Sequence, residues 1–181
     1  MMRRLWIAVV CSAAVGGAPL LAAGQAPSSS PELQKLDISV GRWVFHGQTL
    51  NSRSGQPASF TWNEDCQWSP NHLFLECTFS NDWNGRTAES LVVDSYNTVD
   101  KSYWHYEMFS TGGRGSNPFV SRMDINGNTW VEHGPDAVPG KTNGERITYT
   151  WDSPTHVTVV IETSKDGATW TAVDRAEGAK Q

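Results

Sequence analysis

Ten short segments with strand-like alternation follow one another along this chain, and turn sequences separate them. They are rich in Trp, Tyr, Thr and Val, which favour strands, and most alternate apolar and polar residues. The predicted strands are 42–50, 58–68, 73–81, 86–96, 102–109, 118–125, 128–133, 145–151, 156–163 and 168–176. Consecutive hairpins favour a closed barrel, because closure removes both edges of the sheet. The pattern predicts an all-β fold, a single up-and-down antiparallel β-barrel with a short N-terminal helix.

The first residues have the features of a secretory signal. Arg3 and Arg4 form a basic start, and the apolar, small residues of 5–23 follow them. The alternative is a membrane anchor, but Pro19 and two glycines interrupt the apolar run, which a membrane-spanning helix would keep intact. Residues 1–24 are therefore predicted to be a signal peptide, and we expect a periplasmic or secreted protein.

The rest of the chain suits one domain, with a linker and short helix over 25–40 and the barrel over 41–178. The 14 Lys and Arg include Arg3 and Arg4 of the signal, so the exported chain is more acidic than the net charge of −5 of the whole sequence. Acidic proteins are poor partners for nucleic acids and anionic lipids. We expect no nucleic-acid partner and no membrane association after signal removal; the sequence leaves the oligomeric state open.

Two cysteines remain after the signal, in neighbouring predicted strands. The turn sequence 69–72 joins these strands, and a hairpin centred there places Cys66 opposite Cys77 and Glu64 opposite Phe79. Cysteines directly opposite each other can form a cross-strand disulfide in an oxidising compartment. The alternative is a pair of free, buried thiols.

Loop length differs between the two ends of the predicted barrel. The connections at one end are 51–57, 82–85, 110–117, 134–144 and 164–167, and these include every long loop. The other end receives short turns and the predicted helix, with Ser30 as N-cap and Pro31 at the first helical position. Long loops on a compact scaffold are often functional, so the first end is predicted to be the mouth and the helix to plug the other. The alternative is that these loops are surface insertions.

Two hairpins define the predicted inner face. In the first, the inward set is Phe60, Trp62, Glu64, Cys66, Trp68, Leu73, Leu75, Cys77 and Phe79. In the second, a type I′ turn centred on Asn126 and Gly127 pairs Met123 with Trp130 and Ser121 with Glu132. The residues that are predicted to share one face of this hairpin are Phe119, Ser121, Met123, Trp130 and Glu132. For the strand over 102–109 we expect Trp104, Tyr106 and Met108 to point inward.

The lumen is thus expected to combine aromatic walls with two carboxylates. Trp offers a flat apolar surface and an N–H donor for a ligand. A carboxylate in an apolar pocket costs several kcal/mol unless it is paired, hydrated or protonated, and such groups are often functional. The candidate ligand-binding residues are Trp43, Trp62, Glu64, Tyr106, Trp130 and Glu132. The alternative is that each carboxylate bonds an Arg, a Tyr hydroxyl or water.

Three motifs resemble a known superfamily. Gly41-Arg42-Trp43 looks like the Gly-x-Trp signature of calycins, which include lipocalins and fatty-acid-binding proteins. The stretches 36–43, 96–103 and 164–170 are together similar to an uncharacterised bacterial family of calycin-like proteins. The resemblance implies a calycin-like barrel. Because a fold does not determine a function, the resemblance implies no activity.

A ten-stranded barrel also resembles the nitrobindin-like haem proteins, in which a histidine on a late strand holds the iron. Here the predicted last strand has no histidine, and His156 stands at the start of the preceding strand, so we expect no haem. The other histidines, His46, His72, His105 and His133, lack metal-ligand spacing. A lone strand histidine is more often a surface or hydrogen-bonded residue than a ligand, and no metal site is predicted.

Known catalytic motifs give no support to an enzyme. The sequence has no Gly-x-Ser-x-Gly, phosphate loop or dinucleotide fingerprint. We therefore expect an exported protein that binds a small, partly apolar ligand in its lumen and has no catalytic residues. The alternatives are an enzyme of lyase, isomerase or hydrolase type that uses Glu64 and Glu132 as acid and base, a haem-binding barrel, or a structural protein with a filled core.

Overall fold

The computed structural model describes residues 30–50, 58–83, 86–110, 119–134 and 144–181. The predicted signal peptide lies outside these residues, as does most of the predicted mouth, namely the loops over 51–57, 84–85, 111–118 and 135–143. Across the described ranges, no helix combines the length and apolar character needed to cross a membrane.

Ten strands form a closed antiparallel barrel. They are β1 (Gly41–Thr49), β2 (Ala58–Trp68), β3 (Leu75–Trp83), β4 (Arg86–Asn97), β5 (Ser102–Phe109), β6 (Phe119–Asn126), β7 (Thr129–His133), β8 (Gly144–Ser153), β9 (His156–Ser164) and β10 (Thr171–Lys180). Each strand pairs with the next along the chain, and β1 also pairs with β10. This order confirms the predicted up-and-down barrel and its strand number.

The hairpin of β2 and β3 has the predicted register. Cys66 lies opposite Cys77, and Glu64 lies opposite Phe79. The two cysteines form a disulfide with a Cα–Cα distance of 4.0 Å, as the sequence indicated. The prediction was wrong for Leu73, which lies exposed in the turn, because the side chains of Ser69 and Asn71 bond the turn backbone and delay the start of β3.

The hairpin of β6 and β7 has a different register from the predicted one, but the same residues face the lumen. Asn126 pairs with Thr129, so the central turn residues are Gly127 and Asn128 rather than Asn126 and Gly127. Gly127 has a φ of +60°, and glycine at the first central position is typical of a II′ turn. The partner of Met123 is consequently Glu132 instead of Trp130. A shift of two positions preserves the alternation, so the predicted inward residues stay inward.

The last strand begins three residues later than predicted and ends at Lys180. The cause is the turn before it, in which a carboxylate oxygen of Asp166 accepts hydrogen bonds from the backbone N–H groups of Ala168 and Thr169, at 2.9 and 2.7 Å. These bonds extend the turn and remove both residues from the β-ladder.

The helix closes one end of the barrel, as predicted. It comprises α1 (Pro31–Gln34) and a 3-10 turn over Lys35–Ser39, and the Ser30 hydroxyl accepts a hydrogen bond from the Leu33 N–H. Leu33 and Leu36 are buried in the barrel core. Three side chains from the barrel donate hydrogen bonds to this segment: Trp43 to the Ser39 carbonyl, Trp68 to Asp37 and Tyr103 to the Glu32 carbonyl.

Candidate ligand-binding site

The interior of the barrel holds a cavity of about 300 Å³. A larger groove of about 700 Å³ crosses the outside of β1 to β5, and its walls include the exposed side chains of Arg42, Asp65 and Met108. Binding sites are usually enclosed, largely apolar and equipped with a few converging polar groups. The inner cavity has these features, so we take it as the candidate site.

One wall of the cavity is a continuous aromatic surface centred on Trp62. Its ring stacks on Phe45 and Phe60, with centroid distances of 4.6 and 5.4 Å, and lies 5.8 Å from the ring of Phe79. The ring of Phe45 lies directly over Gly178 of β10, where an added Cβ would collide with it. The missing side chain on β10 therefore allows this wall to lie flat against the sheet.

Glu64 places a carboxylate at the edge of this aromatic wall. Its Oε1 accepts a hydrogen bond of 3.0 Å from the indole N–H of Trp62. Burial is the main reason that the pKa of Glu64 is raised to about 7, the nearby carboxylate of Asp94 contributes in the same direction, and the hydrogen bond from Trp62 partly opposes both. The side chain lines the cavity and is half-buried, so this polar group is available to a bound molecule.

His105 lies between two carboxylates on the other side of the cavity. Its Nδ1 is 2.9 Å from Oδ1 of Asp94, and its Nε2 is 3.8 Å from Oε1 of Glu132. Burial by itself lowers the pKa of His105, but Glu132 and Asp94 raise it more, to about 10. The imidazole is therefore protonated at neutral pH and acts as the positive partner of both carboxylates.

Further hydroxyl groups complete this network. Oε1 of Glu132 accepts a hydrogen bond of 2.7 Å from Ser121, and Oε2 accepts one of 3.3 Å from Tyr149. Burial raises the pKa of Tyr149 well above its usual value, so the phenol remains a donor. Ser90 donates a hydrogen bond of 2.7 Å to Glu107. Each of these carboxylates is thus held in a fixed orientation.

Four of the six predicted ligand-binding residues line the cavity: Trp62, Glu64, Trp130 and Glu132. Trp43 lies below it, 1% exposed, with its ring 5.3 Å from that of Trp151. Its indole N–H donates a hydrogen bond to the Ser39 carbonyl at the closed end of the barrel, and Nζ of Lys180 lies 5.3 Å from the centroid of its ring. Trp43 is therefore a packing residue of the barrel floor.

The predicted orientation of β5 is wrong. Tyr106 and Met108 lie on the outer surface, 38% and 45% exposed, and the ring of Trp104 stacks on Tyr106 outside the barrel. The inward face carries His105 and Glu107 instead, because β5 pairs them with Ser121 and Phe119, which face the lumen. Both faces of β5 are aromatic, so its hydrophobic pattern does not separate inside from outside. Tyr106 is thus replaced by His105 in the candidate site.

Haem does not fit the histidines of this chain. The structure describes all five, and only His105 lines the cavity, where carboxylates face both of its ring nitrogens. His156 lies on the outer surface, paired with Asp152 at 2.9 Å and with Glu177 at 3.5 Å. Within the described part of the chain, no three His, Cys, Asp or Glu side chains are arranged to hold a metal ion.

The stability of the barrel is expected to fall by at least about 2 kcal/mol between pH 5 and pH 8. Glu64 keeps its proton in the folded state up to about pH 7 but loses it near pH 4.5 when unfolded, so its contribution disappears as the pH rises through this window. His105 acts in the same direction between pH 6.5 and about 10. Urea denaturation at both pH values, followed by tryptophan fluorescence, measures the change. The variant Glu64→Gln should lack the part of this fall in stability that occurs below pH 7. A stability that stays constant or rises between pH 5 and pH 8 would contradict the raised pKa of Glu64.

Comparison with known proteins identifies the fold but no family. No family model matches this chain, and neither does any curated protein. Among solved structures, the chain is similar to Rv2717c from M. tuberculosis, with a TM-score of 0.58 and 13% sequence identity. The match covers 85% of this chain and 99% of that one. A likeness at this level of identity establishes that both proteins share a barrel fold.

Proposed function

We propose that this protein is an exported, calycin-like binding protein that holds a small, partly apolar molecule in the barrel lumen. The observation that carries the proposal is the aromatic cavity of about 300 Å³ with the carboxylate of Glu64 at its wall. This volume is at the lower end of the range for small-molecule sites. The aromatic wall would contact the apolar part of the ligand, and Glu64 would orient its polar part.

Export to the periplasm or the exterior is part of the proposal. The disulfide between Cys66 and Cys77 supports it, because such bonds persist mainly in oxidising compartments. The basic and apolar start of the sequence supports it independently.

One arrangement favours a second candidate function, an enzyme. Glu64 lines the cavity, and a carboxyl group whose pKa is raised to about 7 could serve as a general acid or base at neutral pH. The sites of the two candidates overlap, so turnover of the bound molecule separates them. An enzyme would convert the ligand released from the purified protein, whereas a binding protein would return it unchanged.

Native mass spectrometry of the protein from its own exported fraction tests the proposal. We expect an adduct that is lost on denaturation. Ile161→Trp, which adds bulk to the cavity wall, should abolish the adduct, while Val160→Trp on the outer face of the same strand should retain it. A bare polypeptide mass, or an adduct indifferent to Ile161→Trp, would contradict binding in the lumen. Each variant is checked for the disulfide as a sign of correct folding.

A further inference from the structure

The described wall of the cavity is strongly acidic. Its acidic side chains are Glu64, Asp94, Glu107, Glu132, Glu145 and Asp174. The same part of the wall contains a single basic side chain, that of His105, and neither Lys nor Arg. Cavities with low-dielectric walls and one sign of charge concentrate ligands of the opposite sign. This composition therefore discriminates between ligands by charge.

The internal charge pairing does not neutralise the cavity. The imidazolium of His105 faces the carboxylates of Asp94 and Glu132, so this group alone carries one more negative than positive charge when all three are ionised. Among the described residues, the hydrogen-bond partner of Glu64 is the neutral indole of Trp62. An entering cation would compensate the excess negative charge, whereas an entering carboxylate would add to it.

The position of Glu64 adds a geometric argument. Its carboxylate lies at the edge of the Trp62 ring, and the rings of Phe45 and Phe79 lie on the same wall. Because these rings stack on one another, they form an apolar wall for the body of a ligand. A carboxylate beside such a wall can hold an ammonium group while the apolar body attached to that group packs on the rings. Among the described residues, no three His, Cys, Asp or Glu side chains are arranged to hold a metal ion, and the aromatic wall suits an organic cation with an apolar body.

We propose that the ligand is a small organic cation, an amine or quaternary ammonium compound with an apolar body. Its charged group lies beside Glu64 and Trp62, and its body packs on the aromatic wall. This inference rests on the proposed binding function and names the ligand class for the same cavity. Fatty acids and other carboxylates are the class that the cavity rejects.

Three probes with the same phenyl body and different charge test the inference: 2-phenylethylammonium, 2-phenylethanol and 3-phenylpropanoate. Their affinities are measured by calorimetry at pH 8 and constant ionic strength, because salt screens charge effects. We expect the cation to bind at least about tenfold more tightly than the alcohol, and the carboxylate to bind most weakly. Glu64→Gln should weaken binding of the cation about tenfold or more and leave that of the alcohol nearly unchanged. The matched control is Glu89→Gln, which removes the same charge from an exposed position on the outer face of β4.

The outcomes separate this inference from the proposed function. Tighter binding of the alcohol or the carboxylate would overturn the cation class while lumen binding stands. An equal effect of Glu89→Gln would show that only the net charge matters and would overturn the role of Glu64. Failure of all three probes would also overturn the inference, and the mass of the native adduct would then decide separately whether the lumen binds a ligand.

Discussion

Replacement of His105 by phenylalanine is expected to lower the free energy of unfolding by about 3–5 kcal/mol at neutral pH. The imidazole faces Asp94 and Glu132, whose side chains are 13% and 2% exposed, so its removal leaves two buried carboxylates without their positive partner. Phenylalanine fills a similar volume, which makes the loss of charge the main change. Urea denaturation followed by tryptophan fluorescence measures the effect.

Two further variants separate the charge effect from general damage. His46→Phe, at an exposed position on β1, should change stability by no more than about 0.5 kcal/mol. Combining His105→Phe with Asp94→Asn and Glu132→Gln should recover much of the loss, because the neutral amides no longer need a cation. A loss below about 1 kcal/mol for His105→Phe, or no recovery in the triple variant, would contradict the assigned pairing.

The barrel and one of its hairpins could be predicted because their determinants are local. Alternating segments and turn residues indicated ten strands, and a short turn fixed the register that places Cys66 opposite Cys77. In the hairpin of β6 and β7, the sequence predicted which residues face the lumen but not how the two strands pair. The reason is that Gly127 occupies the first central turn position and shifts the pairing by two residues.

The polar side of the site could not be predicted in the same way. His105 meets Asp94 through the pairing of β4 with β5, and it approaches Glu132 across β6. A long connection over 110–118 separates β5 from β6, so the sequence does not fix their register. The faces of β5 that carry Tyr106 and His105 are both aromatic-rich, and the pattern favoured the wrong one. His105 belongs to the site because it pairs with Ser121, which shares a face with Glu132, and this pairing is visible only in the structure.

The disulfide is the covalent link at the floor of the cavity. Cys66 and Cys77 are 2% and 5% exposed, both line the cavity, and they join β2, which carries Trp62 and Glu64, to β3. Cross-linking of this kind stabilises a protein mainly by restricting its unfolded chain, and the benefit grows slowly with the length of the closed loop. The cysteines are 11 positions apart, so the closed loop is short.

Removal of this bond is expected to cost about 2–3 kcal/mol, the value for a loop of this length. The comparison is between the oxidised protein, the same protein in reductant, and the double variant Cys66→Ala with Cys77→Ala, each unfolded in urea. Reductant should lower the urea midpoint of the native sequence to near that of the double variant and leave the double variant unchanged. The double variant loses two small buried side chains as well, so it should be slightly less stable than the reduced protein. If reductant does not move the midpoint of the native sequence, or if two thiols titrate in the oxidised protein, the two cysteines are not bonded and the floor of the cavity is held by packing alone.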